Sequence, residues 1–148
     1  SIGCSVTALD VADDAVRYAS LRAPGALVLQ RSLEKPLDAE DAFYDAVIAV
    51  ESVEHVHDDR AMLAEFFRVL KRGAPLFIST PDRDLFDQMH AAAHPEAPVR
   101  IINPFHVREY TEIELRALLT NVGFHHVARV RAPHAQYAQA LVLICWKP

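Results

Sequence analysis

No stretch of this sequence approaches the roughly 20 consecutive apolar residues that a bilayer-spanning helix requires. The longest apolar runs, near residues 46–50 and 140–146, are far shorter. Clustered basic residues are also missing: Lys and Arg total 15 against 20 Asp and Glu, a formal net charge of -5. Nucleic-acid binding draws its affinity from Lys and Arg that displace phosphate counterions, so neither a nucleic-acid partner nor a membrane partner is expected. Cysteine is scarce. Cys4 and Cys145 each sit in an apolar, strand-like run and read as two buried thiols rather than a bridge or a metal pair. The first residues lack the basic start, apolar segment and small-residue cleavage site of a secretory signal, and the expectation is a soluble cytoplasmic protein. Internal repeats and low-complexity tracts are absent as well. What remains, 148 residues with 51% hydrophobic and 24% charged, is the composition of one ordinary globular domain covering 1–148.

Short apolar runs alternate with segments of helical periodicity. Val6–Asp10 is β-rich and ends in a carboxylate; Asp13 to Leu21 then places Ala15, Val16 and Ala19 on one helical face, and Pro24 and Gly25 stop it. A second run, Ala26 to Gln30, leads into a polar loop with Pro36. The third, Asp45 to Val50, is continuously apolar and predicts a strand covered on both faces. Asp58 and Asp59 can cap a helix in which Met62, Leu63, Phe66, Phe67 and Leu70 recur at helical spacing, with Gly73 ending it. Pro75 to Thr80 predicts a fourth strand. Residues 82–110 are less regular, with a helical patch from Leu85 to Ala93 and a Pro-punctuated loop from His94 to Phe105, as in a lid inserted over a site. Thr111 with Glu114 three residues later is a capping box that opens a helix to Gly123. Phe124–Val130 and Ala140–Trp146, separated by a polar turn around Pro133, predict an antiparallel pair. Strands and helices in this order predict an α/β, three-layer sandwich, mostly parallel with an antiparallel C-terminal hairpin.

Three stretches resemble the class I S-adenosylmethionine-dependent methyltransferases of the methyltransferase 11-like type. VTALDVADDAVRYA (6–19) is similar to the family's second strand and following helix. FYDAVIAVESVEHVHDDRAMLAEFFRVLKRGAPLFISTPDR (43–83) is similar to its fourth strand, Glu-His turn, Arg-Val-Leu-Lys helix and fifth strand. NPFHVREYTEIELRALLTNVGF (103–124) resembles a late substrate-side segment and helix. The resemblance implies a Rossmann-like fold, S-adenosyl-L-methionine as cofactor and a small-molecule acceptor. The sequence departs from the family in three places. The family's first strand and Gly-x-Gly-x-Gly turn would precede Val6, where only five residues stand, so the first strand is expected to be missing and catalysis by these 148 residues alone weak or absent. Ser32, between Arg31 and Leu33, stands where many relatives carry an acid near the adenine. Arg72-Gly73-Ala74 replaces the usual Pro-Gly-Gly.

In that frame Asp10 closes a strand at the carboxyl edge, where ligands bind in open α/β sheets, and its carboxylate can accept both ribose hydroxyl protons. The competing role for Asp10 is an N-cap for the next helix. Val11 offers apolar contact beside the adenine, and Ser32 and Leu33 border it; plain loop is the alternative for both. Glu51, with Glu54-His55, follows the central strand near the sulfonium. His55, an imidazole that can take and give a proton, is the candidate general base, against a histidine bonded only to backbone. Asn103, His106 and Tyr110 could hydrogen-bond the acceptor or simply hold a lid together. The reading requires Asp10 and the Glu51-to-His55 turn to converge on one crevice. Loss of the first strand would leave the second and fourth to pair with each other, to pair across a homodimer, or to leave backbone groups unsatisfied. No metal is expected, although His90 and His94 at i, i+4 and His55-x-His57 make a metal enzyme one alternative; a non-catalytic binding module on the same scaffold is the other.

Overall fold

The computed structural model describes residues 3–97, 100, 102–131 and 139–148. The turn expected around Pro133 and part of the loop before Phe105 fall outside them. The chain forms two compact units, residues 1–35 and 36–148.

In the first unit, β1 (Thr7–Asp10) and β2 (Leu27–Gln30) pair in parallel, with Asp10 opposite Gln30, and α1 (Asp13–Arg22) joins them. Both strands therefore end at the same edge. Asp13 and Asp14 lie in the first turn of α1 and Arg22 in the last, matching the helix dipole. Cys4 precedes β1 and is exposed, so the expectation of two buried thiols holds only for Cys145, whose thiol burial pushes up to about 12.

The second unit is built on a four-stranded sheet in the order β3-β4-β6-β5, comprising Val47–Val50, Pro75–Pro81, Ala140–Trp146 and His125–Arg129. β3 and β4 run parallel, whereas β6 is antiparallel to both β4 and β5. The expected C-terminal hairpin pair is present, and β6 lies inside the sheet rather than at its edge. Its strict alternation puts Leu141, Leu143 and Cys145 in the core opposite Thr80, Ile78 and Leu76 of β4. Leu63, Phe66 and Val69 of α2 (Asp59–Val69) and Leu115 and Leu119 of α4 (Glu112–Val122) are buried with them. An edge-to-face contact between Phe67 and Phe124, ring centroids 5.2 Å apart, joins α2 to the segment after α4. Gly123 turns the chain there with φ of +120°, and a Cβ would stand 3.2 Å from the Phe67 ring, so this turn requires glycine twice over.

Several boundaries differ from expectation for local reasons. α2 ends at Val69 because Leu70 is already extended, its N–H still bonded to Phe66 O; Gly73, at φ of +74°, forms the tight turn into β4 rather than the helix end. α3 (Arg83–Ala93) starts two residues early because Asp82 caps it by accepting from Leu85 N. β3, expected to be covered on both faces, buries Ala49 and leaves Ile48 and Val50 exposed. Among the described residues no helix is long and apolar enough to cross a membrane.

A polar clasp holds residues 37–41 on α2. Arg68 donates to Leu37 O, Ala39 O, Asp41 and Glu65, and Glu65 accepts from Leu37 N. The Arg68 guanidinium beside it holds the Glu65 carboxyl below its ordinary value of 4.5. A depressed folded pKa contributes stability that is complete above the unfolded value and lost as pH falls through the folded one. Glu65→Gln is therefore expected to lower the urea midpoint modestly at pH 7, and the difference from the parent should shrink on acidification below pH 4.5.

Candidate functional site

In the first unit, Asp10, Val11, Ser32 and Leu33 all leave from the carboxyl edge of the β1–β2 pair. Asp10 is exposed; its Oδ1 accepts from Ala12 N at 2.8 Å, and Oδ2 bonds to no described residue. The helix N-cap is Ala12, which makes no side-chain capping bond, so Asp10 shapes the turn ahead of α1 rather than capping it. Gln30 Nε2 donates to Val11 O at 3.0 Å and fixes the residue beside the carboxylate, leaving the Val11 side chain exposed. Ser32 Oγ accepts from Glu34 N, so its own proton remains available to a ligand.

In the second unit, parallel pairing of Val50 with Ser79 brings the ends of β3 and β4 to one edge. Glu51 follows with φ of +48°, a left-handed conformation that costs a non-glycine residue about 1 kcal/mol or more. Bonds to Ser79 hold it there: Glu51 N donates to Ser79 O at 3.0 Å, and Ser79 Oγ donates to the Glu51 carboxylate at 2.8 Å. A single helical turn, Val53–His55, comes next. Val53 and Glu54 are fully buried, and His55 is half-exposed.

The 103–110 segment closes directly on this turn. Val107 N and Arg108 N both donate to Glu54 O, at 2.7 and 3.4 Å, and His55 Nδ1 donates to Phe105 O at 2.9 Å. Asp59, at the start of α2, accepts from Arg108 and from the Tyr110 hydroxyl, each at 2.7 Å. Tyr110 is buried and its hydroxyl engaged; burial first, then Asp59, raise its pKa well above the ordinary phenol value. Its work in the structure is to pin the segment. Asn103 and His106 bond each other at 3.2 Å, and the His106 ring meets that of His55 edge-to-face, centroids 5.0 Å apart. Of the predicted residues, Glu51, His55, Asn103 and His106 thus gather at the carboxyl edge of the β3–β4 pair. His90 and His94 lie elsewhere, stacked at the end of α3, where His90 bonds Ala97 O.

Sequence reasoning missed the role of Glu54. Its Oε2 accepts from Thr80 Oγ1 at 2.9 Å, while Oε1 is buried with no hydrogen-bond partner among the described residues. Burial, reinforced by the charge of Glu51, raises its pKa. Only the flanking Val53 and Val56 hinted that a carboxylate there would be drawn inside.

Comparison with known proteins finds methyltransferases among both sequence relatives and solved structures. A probable S-adenosylmethionine-dependent methyltransferase of Mycobacterium tuberculosis is 36% identical over 123 residues, 83% of this chain and 42% of that protein. A ubiquinone biosynthesis O-methyltransferase of Xylella fastidiosa is 34% identical over 131 residues, 83% of this chain and 53% of that one. The chain thus spans about half the length of these relatives. Among solved structures, a SAM-dependent methyltransferase of Thermotoga maritima, described as a possible histamine N-methyltransferase, superposes with a TM-score of 0.71 at 19% identity, covering 97% of this chain and 73% of that one. The fold is Rossmann-like, with mixed sheets. The family model described as a methyltransferase domain matches residues 1–78, more than half of the 148, and the chain belongs to that family.

Proposed function

We propose that this chain is part of an enzyme that transfers a methyl group from S-adenosyl-L-methionine to a small-molecule acceptor. The observation that carries the reading is the exposed Asp10 carboxylate, closing a parallel strand with one oxygen open, in a chain whose first 78 residues match the methyltransferase domain. The residues suit a nucleoside. Asp10 can accept from a ribose hydroxyl, Val11 supplies apolar surface, and Ser32 can donate one hydrogen bond. When bound, the cofactor contributes a methyl group on a sulfonium, open to in-line displacement.

The remaining work is alignment, exclusion of water and, for a hydroxyl acceptor, removal of a proton. A carbonyl can only accept, so the bond to Phe105 O places the His55 proton on Nδ1 and leaves a lone pair on the half-exposed Nε2. That nitrogen is the candidate base. The segment 103–107, bonded to the Glu54–His55 turn, would contact the acceptor through Asn103 and exposed Phe105. The Xylella relative, named as a ubiquinone biosynthesis O-methyltransferase, supports an oxygen acceptor. Residence in the cytoplasm and a homodimer belong to the same proposal.

The test is transfer of labelled methyl by the intact protein to a panel of phenols, amines and carbon acids. Label in a phenol is expected. With His55→Gln, kcat should fall about 100-fold, the size of a typical general-base contribution. Failure to label any acceptor by a protein that binds the donor would favour the non-catalytic module.

A further inference from the structure

We infer that Glu54, His55 and His106 form a binding site for one borderline divalent cation, of which Zn²⁺ is the type. One ligand atom from each lies within 4.8 Å of the other two, the sole such group of three among the described residues.

The hydrogen-bond pattern argues for a cation rather than chance proximity. His55 donates through Nδ1 to Phe105 O, which leaves Nε2 as a lone pair. His106 meets the Glu109 carboxylate through Nδ1 at 3.1 Å and the Asn103 amide nitrogen through Nε2 at 3.2 Å. The Asn103 oxygen already accepts from Phe105 N, so its NH₂ end faces His106. A carboxylate accepts and an amide NH₂ donates; His106 is therefore also protonated on Nδ1, and its Nε2 accepts from Asn103. The third member is the Glu54 oxygen, in a side chain only 1% exposed and without a donor among the described residues. It stands 3.9 Å from His55 Nε2, too far for a hydrogen bond. A free lone pair on His55 Nε2 and an unpartnered buried carboxylate oxygen thus stand beside His106 Nε2, whose lone pair takes only the Asn103 N–H, a bond that a cation would replace. The two Nδ1 protons are held by a backbone carbonyl and a carboxylate, the outer contacts that orient metal-bound histidines.

The donor set decides the class of ion. Two nitrogens and one oxygen suit Zn²⁺ and its neighbours, whereas Mg²⁺ and Ca²⁺ prefer oxygen alone. Tetrahedral ligand atoms at about 2.0–2.1 Å from zinc stand about 3.3 Å apart, so the cluster must tighten on binding. His55, half-exposed and hinged on its bond to Phe105 O, has room for that movement. Three protein ligands leave a position open, as in sites that hold a reacting oxygen. With a cation bound, His55 Nε2 is a ligand, so the base role given to it in the methyl-transfer reading belongs to the metal-free protein. The site itself does not depend on that reading.

The experiment is titration of the metal-free protein with Zn²⁺ by calorimetry, and with Co²⁺ by visible absorption. One equivalent is expected to bind, with cobalt bands of nitrogen and oxygen ligation and no thiolate charge transfer. Losing a second-shell partner weakens such sites by about 10–100-fold, so Glu54→Gln and His106→Ala, each checked for folding by circular dichroism, should cost at least about 100-fold. His90→Ala should cost nothing. Binding that survives both site variants, follows His90, or never saturates overturns the proposal. Because the readout is metal alone, its failure leaves donor binding untouched, and failure of donor binding leaves it intact.

Discussion

Arg100→Ala is expected to destabilise the 36–148 unit by about 3 kcal/mol, because breaking a buried ion pair strands its partner's charge. The partner is Glu109, with a side chain 2% exposed. Arg100 meets both of its oxygens, and bonds Asp87 at 3.0 Å through Nε. The Arg100 side chain is itself 14% exposed, so we take the low end of the range for buried pairs. Hydrogen bonding to Arg100 is the main reason the Glu109 carboxyl sits below its ordinary range, with a smaller contribution from His106. Removing Arg100 leaves an ionised group inside the fold with only His106, among the described residues, to answer it. Chemical denaturation at pH 7 measures the loss, and Glu109→Gln in the Arg100→Ala background should recover most of it. Full stability in the single variant would mean that water reaches Glu109. The pair also positions the site, since Glu109 orients His106 and its neighbour Tyr110 anchors the segment to Asp59.

Much of this arrangement is legible in the sequence where chemistry is local. Thr111 and Glu114 make both halves of the capping box, because that motif depends only on residues three apart. The runs Phe124–Val130 and Ala140–Trp146 pair antiparallel, as their order around one turn predicts. Asp10 ends its strand as expected. Legibility fails where an outcome depends on distant partners. Ile48 and Val50 belong to a continuous apolar run yet are exposed, since covering a strand requires neighbours that no local pattern specifies. Cys4 resembles Cys145 in sequence, but only Cys145 has a β4 partner, Leu76, opposite it. Tyr110 was readable as an acceptor contact until Asp59, 51 residues away, claimed its hydroxyl. Glu54 was visible as a residue; that one of its oxygens would be buried without a donor follows from Thr80 and the 107–108 backbone, which no spacing announces.

A large effect on donor binding is expected at Asp10. A charge-assisted hydrogen bond is worth roughly a tenfold change in affinity or more, so removing an acceptor of two ribose hydroxyls should cost about 100-fold. Asp10→Ala also breaks the turn to Ala12, whereas Asp10→Asn keeps an acceptor for that N–H and removes only the charge. Separating the two roles needs both variants. Calorimetric titration of the intact protein with S-adenosylhomocysteine therefore tests the methyl-donor reading most directly. Saturable binding of one equivalent, weakened about 100-fold by Asp10→Ala and at least about tenfold by Asp10→Asn, is the predicted result. No binding by the intact protein, or equal affinity in all three forms, would contradict it.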